Sequence, residues 1–403
     1  MRIGINASFL TKPMTGIGQV TTNFLKELVQ FQISNPPAGR TGFKFQNNDV
    51  KLENSNLELI LYCQTEPKLD FRLPDNFKVK VFLPWWKRDD VIRQWLWERQ
   101  LVQEAQKDGC DVFFSLYQSA TVLPNTVKQV MLVHDMIPKL FPEYLNKWTS
   151  RWHYRQIEKA IAQVAHILTP SETTQQDIVK LLNISEANIT VTPLGVDKRF
   201  FERLDTATLE QYLKRFNLTP GYLYHGGGLE VRKNTEAVLQ AYAGLIQENN
   251  VDLPPLVISG KVHAETNPLA TPVQSLIREL GLEGRVRLLG LVPGEDLPLI
   301  YQGASMFLFP SRYEGFGLPV LEAFASETPV ITTGAGSLAE FTSQGEALVI
   351  KDTAHSEGEL KEYIQKLLIQ SELSTTLKAR GLARAKTYSW EAFAEKVCQA
   401  LLQ

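Results

Sequence analysis

The chain has 403 residues, too many for one ordinary hydrophobic core, and this length predicts two domains of roughly 150–200 residues each. Lysine and arginine total 42 against 44 aspartates and glutamates, which argues against the strongly basic face that nucleic-acid binding needs. Three widely separated cysteines, Cys63, Cys110 and Cys398, exclude a disulfide framework or a CxxC zinc site and fit a reducing compartment.

The first residues, MRIGINA, carry one basic side chain and no apolar stretch of the length that a signal peptide needs. No window approaches the roughly 18 uninterrupted apolar residues of a membrane-spanning helix. We therefore expect a cytoplasmic protein that does not cross the membrane.

Short apolar, β-branched runs recur along the chain and predict strands that are covered on both faces, as in parallel sheets. The runs in the first half are Arg2–Ala7, Leu57–Cys63, Lys78–Phe82, Val112–Phe114, Gln129–Val133, His166–Thr169 and Ile189–Thr192. The runs in the second half are Tyr222–Tyr224, Leu256–Ser259, Val286–Leu289, Met306–Phe309, Pro329–Thr332 and Ala347–Ile350.

Segments of helical period separate these runs. The clearest are Gln19–Phe31, Ile92–Lys107, Thr173–Leu182, Thr235–Gln247 and Glu359–Ile369. Such alternation predicts doubly wound α/β sheets, and there are enough elements for two Rossmann-like domains, 1–195 and 196–385. We expect residues 386–403 to form a helix that packs back on the first domain. The polar segments Ser34–Asn56 and His263–Thr271 are predicted to be irregular.

A glycine-rich turn with two basic residues follows the first strand of the second half. It reads HGGGLEVRKN from residue 225, and Gly227 and Gly228 allow it to approach a ligand closely. Asn234 is predicted to cap the next helix, whose positive end points back at the turn. Arg232 adds a planar donor fork and Lys233 a mobile charge. The combination suits a diphosphate, although a solvated Arg-Lys pair beside a flexible turn is the alternative, and the Walker spacing is absent.

A second motif, FPSRYEGFGLPVLE at residues 309–322, places Glu314 and Glu322 on either side of a Gly-Phe-Gly bend. Pro319 is predicted to be the first residue of a helix, so that backbone N–H groups of residues 315–318 are unpaired. Carboxylates match the vicinal hydroxyls of a sugar or ribose, and free N–H groups suit hydroxyl or phosphate oxygens. A helix dipole alone would explain Glu322, but it does not explain the whole motif.

The two glutamates, eight residues apart around Gly-Phe-Gly-Leu-Pro, resemble the E-x7-E motif of glycosyltransferase family 4, whose members are retaining enzymes of the GT-B fold. The likeness runs along most of the chain, and the order and spacing of its motifs are specific. The other matching motifs are Thr15–Gly18, His134–Pro138, Pro170–Glu172, Pro193–Asp197, Gly227–Asn234, Leu289–Gly290 and Pro329–Thr332. The HDxxP pattern resembles the mannosyltransferase-like branch.

The resemblance implies two domains that face each other across a cleft, with the acceptor on the side of 1–195 and the nucleotide sugar held by 196–385. The implied catalytic residues are His134, Arg232, Lys233 and Glu314. The implied donor-binding residues are Gly16, Gly18, Gly227, Gly228, Arg232, Lys233, Glu314, Gly315, Phe316, Gly317, Leu318 and Glu322. In this assignment Glu314 binds sugar hydroxyls, Glu322 holds the ribose, and the two cations hold the diphosphate.

Gly16 and Gly18 form an incomplete dinucleotide fingerprint, because Thr21 stands at the third glycine. An ordinary strand–helix loop is the alternative to their implied role of closing over the diphosphate. The resemblance implies that His134 contacts the sugar near the reacting carbon and that Asp135 orients it; a structural histidine is the alternative. No other His or Cys lies at metal-ligand spacing, so we expect no metal.

Two further features stand out. Similar enzymes have glycine where Glu327 stands, a position predicted to be a helix end, where another residue costs modest stability. Six of the seven tryptophans lie between residues 85 and 152. Packing is the first interpretation of these tryptophans, and the second is a platform for an acceptor sugar or lipid headgroups.

Together these features predict transfer of a hexose, with retention, from a nucleoside-diphosphate sugar to a hydroxyl of a glycan or lipid-linked acceptor. The first candidate donor is GDP-mannose and the second a UDP-hexose. We expect no cofactor, no nucleic-acid partner and a possible peripheral contact with the inner face of the membrane. The alternatives are a non-catalytic protein that binds sugar nucleotides and, as the weakest, an NAD-dependent oxidoreductase, which should show a complete GxGxxG.

Overall fold

The computed structural model describes residues 1–13, 15–33, 43–44, 49–50, 57–88, 90–248, 253–353 and 355–403. The chain divides into two compact units. The first unit comprises Met1–Gly195 and Trp390–Gln403, and the second comprises Val196–Ser389. Within the ranges described, no helix combines the length and the apolar character that a membrane crossing requires.

The strands and α-helices of the described residues follow in chain order. The strands are β1 (Arg2–Asn6), β2 (Phe43–Lys44), β3 (Asp49–Val50), β4 (Glu58–Cys63), β5 (Phe77–Val81), β6 (Val112–Ser115), β7 (Lys128–Leu132), β8 (His166–Thr169), β9 (Ile189–Val191), β10 (Tyr222–His225), β11 (Leu256–Ser259), β12 (Val286–Gly290), β13 (Ala304–Phe309), β14 (Val330–Thr333) and β15 (Leu348–Ile350). The helices are α1 (Gly16–Ile33), α2 (Val91–Lys107), α3 (Ile137–Leu140), α4 (Trp148–Ile161), α5 (Glu172–Leu182), α6 (Thr206–Leu213), α7 (Thr235–Glu248), α8 (Val273–Glu279), α9 (Leu297–Gly303), α10 (Leu318–Ala325), α11 (Ala339–Thr342), α12 (Ser356–Ile369), α13 (Ser371–Ala385) and α14 (Trp390–Leu402).

The first unit is built on a parallel sheet with the strand order β5-β4-β1-β6-β7-β8-β9. The chain adds β4 and β5 on one side of β1 and then β6 to β9 on the other. The strand order therefore reverses between β1 and β6, and crevices for ligands form at such points in open α/β sheets.

Helix α14, at the carboxyl end of the chain, belongs to the first unit. Phe393 on α14 meets Phe24 on α1 edge to face, with ring centroids 6.1 Å apart. Lys128 Nζ donates to the carbonyl of Ala400 at 2.6 Å, so a lysine from β7 pairs with a terminal carbonyl of the helix. Lys396 Nζ donates in turn to the carbonyl of Val191 at 3.2 Å.

The second unit has a parallel sheet with the order β12-β11-β10-β13-β14-β15. Alternate residues of its strands pack on opposite faces of the sheet. Leu223 and Leu308 join the core beneath α7, α8 and α12. Tyr224 and Phe307 face the other way and contact Tyr301 of α9, with centroid distances of 5.2 and 5.1 Å. This two-sided burial explains why the strands are apolar throughout.

All thirteen predicted strands are present, each within two residues of its predicted bounds. The ribbon of β2 and β3 was not predicted, because strands of two residues give no periodic signal. These strands lie inside the segment predicted to be irregular, and the rest of 34–56 lies outside the described residues. Residues 263–271 form a loop with a single bridge from Ala270 to Glu230, as predicted.

Helix α10 ends in a Schellman motif that carries a glutamate where glycine is preferred. Glu327 N donates to the carbonyl of Phe324 at 3.1 Å, and Thr328 N donates to that of Ala323 at 2.9 Å. Glu327 has a φ of 52°, in the left-handed region. The predicted helix end is therefore confirmed, and a side chain at this φ is strained.

We expect Glu327→Gly to raise the free energy of unfolding by about 1 kcal/mol, because glycine adopts this φ without strain. The ion pair that Glu327 makes with Arg203, 3.6 Å long and partly exposed, contributes little. Urea denaturation would measure the change, with Glu327→Ala as the control that loses the ion pair and keeps the strain. An equal gain for alanine would assign the effect to the lost charge instead.

Candidate functional site

The two motifs of the second unit leave neighbouring strands. The glycine turn follows β10 and the two-glutamate motif follows β13, and these strands pair directly. The strand order reverses between them, since β11 and β12 lie on one side and β14 and β15 on the other. Both loops therefore emerge at the point of the sheet where α/β proteins bind ligands.

Three predicted residues of these loops meet at one carboxylate oxygen. Glu314 Oε1 accepts from Arg232 Nη1 at 2.6 Å and from Lys233 Nζ at 2.8 Å. Ser311 Oγ donates to the same atom at 2.5 Å. Arg232 Nη1 also donates to the carbonyl of Tyr313, and Arg312 N donates to the carbonyl of Arg232, so backbone contacts join the two loops.

The three charges are held away from water. The Glu314 and Lys233 residues are both only 6% exposed. Burial raises the pKa of the Glu314 carboxyl, but the charges of Lys233 and Arg232 outweigh burial and leave that pKa below its ordinary value. Burial lowers the pKa of Lys233, although Glu314 opposes this. Lys233 Nζ also lies 4.9 Å from the ring centre of Phe309, a cation–π contact.

The second oxygen of Glu314 is differently placed. All three hydrogen bonds converge on Oε1, and within the described residues no hydrogen bond engages Oε2. The carbonyl of Glu314 accepts from Ser337 N at 3.1 Å and Ser337 Oγ at 3.0 Å. The carboxylate is thus fixed at one oxygen and along its backbone, and Oε2 remains able to accept from a ligand hydroxyl.

Glycines bring the two loops into close contact. A Cβ added to Gly227, which has a φ of 89°, would lie 3.0 Å from Pro319 Cγ and 3.1 Å from Phe309 Cε2. Gly228 has a φ of 114°, and a Cβ there would collide with the carboxylate of Glu230. The glycine turn therefore lies against the start of α10, which carries Glu322.

The bend between the glutamates is packed from beneath. Phe316 is buried between Phe341 and Tyr388, with centroid distances of 5.9 Å to each. Gly317 is the N-cap of α10 with a φ of 105°, and a Cβ there would approach Leu338 Cδ2 to 2.6 Å. Packing on this side fixes the path of Gly315 and its neighbours.

Pro319 was predicted to be the first residue of a helix, but α10 begins at Leu318 and Pro319 is its second residue. Glu322 is 7% exposed, and its Oε2 accepts from Tyr301 OH at 3.2 Å. Burial raises the pKa of Glu322 to about 7, and Tyr301 opposes this. No described hydrogen bond or ion pair joins Glu322 to the Glu314 cluster, so the two glutamates occupy separate environments on neighbouring parts of one motif.

Asn234 stands directly before α7, at the predicted N-cap position, but the described bonds of its side chain go to other elements and not to the first turn of the helix. Asn234 has a φ of 58° and ends a 3₁₀ turn over Val231–Lys233, with α7 beginning at the next residue. Its side chain donates to Ser356 Oγ at 2.8 Å and accepts from Arg312 Nη2 at 3.4 Å. Short polar side chains tolerate the left-handed region, and the left-handed backbone of Asn234 allows the chain to turn from the 3₁₀ turn into α7.

Two residues that the sequence did not single out position this site. His225 Nδ1 donates to the carbonyl of Leu308 at 2.8 Å, and its Nε2 lies 2.9 Å from Thr235 Oγ1, so it ties β10 to β13 and to α7. Burial lowers the pKa of His225 to about 4, which keeps it neutral. Ser311 is the second of these residues. Its position three residues before Glu314, directly after a strand, is the sequence feature that could have identified it.

His134, in the first unit, follows β7. Its Nε2 lies 2.8 Å from the carbonyl of Leu116 and must carry the proton, because a carbonyl only accepts. Burial lowers the pKa of His134 to about 4, so the ring is neutral with an unprotonated Nδ1. Asp135 Oδ1 accepts from Ile137 N at 2.9 Å, and the bond to the carbonyl of Leu116 orients the His134 ring.

The two glycines of the first unit differ in their surroundings. Both lie at the start of α1, after the strand next to the reversal point. A Cβ on Gly18 would collide with the backbone of Lys12 and Pro13, whereas one on exposed Gly16 would meet nothing within 4 Å. Only Gly18 is required by close packing of the loop.

We expect Gly18→Ala to lower the free energy of unfolding by about 1–3 kcal/mol through overpacking. Gly16→Ala is its matched control and should leave that energy unchanged or raise it by up to about 1 kcal/mol through helix propensity. Guanidinium denaturation of both variants would check this. Equal stability of the two variants would mean that the backbone at Lys12 and Pro13 moves aside at no cost in free energy.

Among the described residues no group of three or more His, Cys, Asp or Glu side chains is arranged to hold a metal ion. The positive groups of the site are Arg232 and Lys233. Fixed cations beside a carboxylate that can accept from hydroxyls suit the binding of an anion that carries hydroxyl groups.

Comparison with known proteins gives a consistent result. The family description "Glycosyltransferase Family 4" matches residues 51–200, and "Glycosyl transferases group 1" matches residues 214–384. An O-antigen chain mannosyltransferase B of Escherichia coli is 34% identical over 392 residues, which cover 94% of this chain and 93% of that protein. A serotype-specific mannosyltransferase WbdA of Escherichia coli is 27% identical over 65% of this chain and 32% of its own length.

Solved structures share the fold. WaaG, a glycosyltransferase involved in lipopolysaccharide biosynthesis, superposes with a TM-score of 0.73 at 16% identity, covering 100% of this chain and 99% of its own. Anabaena HepE in complex with UDP-glucose gives 0.70 at 14% identity, covering 99% and 98%. With its two parallel-sheet units and these relatives, the chain belongs to glycosyltransferase family 4 and is a glycosyltransferase of the GT-B fold.

Proposed function

We propose that the protein transfers a hexose, with retention at the anomeric carbon, from a nucleoside-diphosphate sugar to a hydroxyl of a glycan or lipid-linked acceptor. The observation that carries the proposal is the convergence of Arg232, Lys233 and Ser311 on one oxygen of Glu314 at the reversal point of the sheet. The names of the similar proteins, an O-antigen chain mannosyltransferase among them, support mannose as the sugar and a growing polysaccharide as the acceptor.

In this proposal the cations serve the leaving group. Departure of the nucleoside diphosphate develops negative charge on its oxygens, and fixed positive groups lower the barrier without having to reorganise. Arg232 and Lys233 are already held in place by Glu314, and one such donor contributes roughly 10²–10³ in rate. The reaction as proposed uses no metal ion and no prosthetic group.

Glu314 is proposed to bind sugar hydroxyls through Oε2 and not to attack the sugar. A retaining glycosidase uses a carboxylate as nucleophile. The charge of Glu314 is compensated by two cations, which makes it a poor nucleophile. The leaving phosphate is then the group that takes the proton of the acceptor hydroxyl, and Glu322 holds the ribose hydroxyls.

A ligand panel tests the donor. We expect GDP-mannose to raise the melting temperature more than UDP-glucose or NAD. A ligand at 100 times its Kd stabilises the fold by about 2.7 kcal/mol, and a weaker ligand at the same concentration stabilises it less. Lys233→Met should abolish most of the shift, and Lys351→Met, at an exposed position of the same unit, should not. A shift with NAD alone would favour the oxidoreductase.

An assay of sugar transfer distinguishes an enzyme from a non-catalytic protein that binds sugar nucleotides. The chain is incubated with GDP-mannose and a mannose-terminated oligosaccharide on a lipid-like aglycone, and GDP release and product mass are followed. Tight donor binding with no transfer to any such acceptor would support the non-catalytic alternative.

We also propose that the protein works in the cytoplasm with peripheral contact to the inner face of the membrane. A lipid-linked acceptor stays in the bilayer, so the enzyme has to reach it there. Sedimentation with vesicles tests this contact independently of the donor.

A further inference from the structure

The exposed apolar side chains of the chain are clustered. The described residues include twelve large hydrophobic side chains that are exposed, and half of these lie in two short stretches of the first unit. They are Val81, Leu83, Trp85, Ile92, Trp148 and Trp152. Trp85 is 76% exposed and Trp148 is 72% exposed. A tryptophan with such a large exposed fraction is unusual unless a binding partner covers it.

Contacts between α2 and α4 join the two stretches. Trp95 on α2 meets Trp152 on α4 edge to face, with centroids 5.3 Å apart. Below them Glu98, which is buried, accepts from His153 Nε2 at 2.9 Å. Trp148 lies one turn before Trp152 on the same face of α4. Helices α2 and α4 are therefore neighbours, and we call the six exposed apolar side chains of these two stretches the tryptophan face.

The exposed charges described in these two stretches have one sign. Among the described residues of 81–99 and 147–155, every exposed charged side chain is basic, and these are Lys87, Arg88, Arg99, Lys147, Arg151 and Arg155. The two acidic residues described there are engaged elsewhere. Asp90 caps α2 and accepts from Trp86 Nε1 at 3.1 Å, and Glu98 pairs with His153.

Packing alone therefore explains only part of the tryptophan cluster. Trp97 is fully buried and stacks on Phe82 with centroids 4.2 Å apart, as the packing interpretation predicts. Trp85 and Trp148 stabilise no core. Their indole rings suit the boundary between headgroups and acyl chains, and the surrounding basic groups suit anionic headgroups.

We propose that the tryptophan face is the surface by which the first unit docks on an anionic lipid bilayer. The inference rests on the proposed peripheral membrane contact and names its residues and the charge of the lipid. A second copy of the chain fits less well, since two such faces would oppose like charges. A neutral glycan would gain nothing from six cations.

The test is sedimentation with phosphatidylcholine vesicles that contain or lack phosphatidylglycerol. We expect binding to the anionic vesicles only, weakening as salt rises. Replacing Lys87, Lys147 and Arg155 by glutamine should lower the partition coefficient by on the order of 100-fold. Trp85→Ser with Trp148→Ser should also lower it, with loss of the quenching of tryptophan fluorescence by brominated lipids.

Matched controls lie in the second unit. Ile369→Ser changes an apolar side chain that is 72% exposed, like Trp148, and Lys214, Lys351 and Lys386 changed to glutamine remove three exposed charges. Both controls should bind vesicles as the parent does. Urea denaturation and the GDP-mannose thermal shift should be the same in all variants, which shows that fold and donor site are intact.

The outcomes are distinguishable. If the parent binds no vesicle of either kind, the proposed membrane contact fails and the tryptophan face fails with it. If the parent binds anionic vesicles and the face variants bind equally well, the contact stands and the assignment of this face is overturned. Equal binding to neutral vesicles would overturn the anionic specificity.

Discussion

Glu314→Gln is expected to lower kcat/KM for sugar transfer by on the order of 10²–10³-fold and to destabilise the second unit by about 3 kcal/mol. The amide keeps the shape of the side chain but removes the charge that Arg232 and Lys233 share. Two buried cations are then left uncompensated, and the oxygen proposed to meet the sugar loses its strength as an acceptor. Initial rates with GDP-mannose and urea denaturation would measure the two effects.

Ser311→Ala is the matched control for this prediction. It removes one hydrogen bond from the same oxygen and leaves all charges in place, so it should cost only about 1 kcal/mol and little activity. A Glu314→Gln variant that is destabilised yet transfers sugar at a normal rate would show that Glu314 only anchors the cations. The same carboxylate should lose its stabilising contribution as pH falls toward and below about 4, because its folded pKa lies under the unfolded value.

Glu322→Gln should have the opposite effect on stability. Above pH 8 we expect the variant to unfold with a free energy up to about 3 kcal/mol higher than the parent, and near pH 4.5 we expect no difference. Burial raises the folded pKa of Glu322 to about 7, above its pKa in the unfolded chain. The contribution of Glu322 to the stability of the parent is therefore complete below the unfolded pKa and is lost as pH rises through the folded pKa. Glutamine cannot ionise, so its variant escapes the cost of a buried carboxylate.

The gain in stability should come with weaker donor binding, because an amide accepts less strongly from ribose hydroxyls. Denaturation at about pH 4.5 and about pH 8 measures the stability, and the Kd for GDP at about pH 8 measures the binding. Tyr301→Phe is the control, since it removes the hydroxyl that donates to Glu322 and should steepen the loss of stability with pH. A pH-independent difference between parent and Glu322→Gln would show that ionisation is not the cause.

Much of the fold could be read from the chain because parallel strands buried on both faces are apolar at every position. That pattern found β10 and β13 and placed the glycine turn and Glu314 directly after them. The pattern carries no information on conformations set by one residue, so the left-handed backbone of Asn234 and the bonds of its side chain to Ser356 and Arg312 were not predicted. It also missed Tyr301, whose hydroxyl reaches Glu322 from a helix in which a tyrosine reads as ordinary core.

The meeting of Arg232, Lys233 and Glu314 follows from topology, since the loops that leave two adjacent parallel strands emerge side by side at the same edge of the sheet. The choice of one shared oxygen does not follow from it. That choice depends on the orientation of Ser311 and on backbone contacts between the loops. Neither can be inferred from the spacing of residues in the sequence.

The return of the chain to the first unit bears on how the protein is made. Helix α14 covers the Phe24 side of α1, yet 194 residues, from Val196 to Ser389, are synthesised between the two parts of that unit. At ribosomal rates of about 5–20 residues per second the apolar stripe on α1 waits for about 10–40 s before its partner leaves the exit tunnel. During that interval the nascent first unit is an incomplete fold, and chaperones have their longest opportunity to act on it.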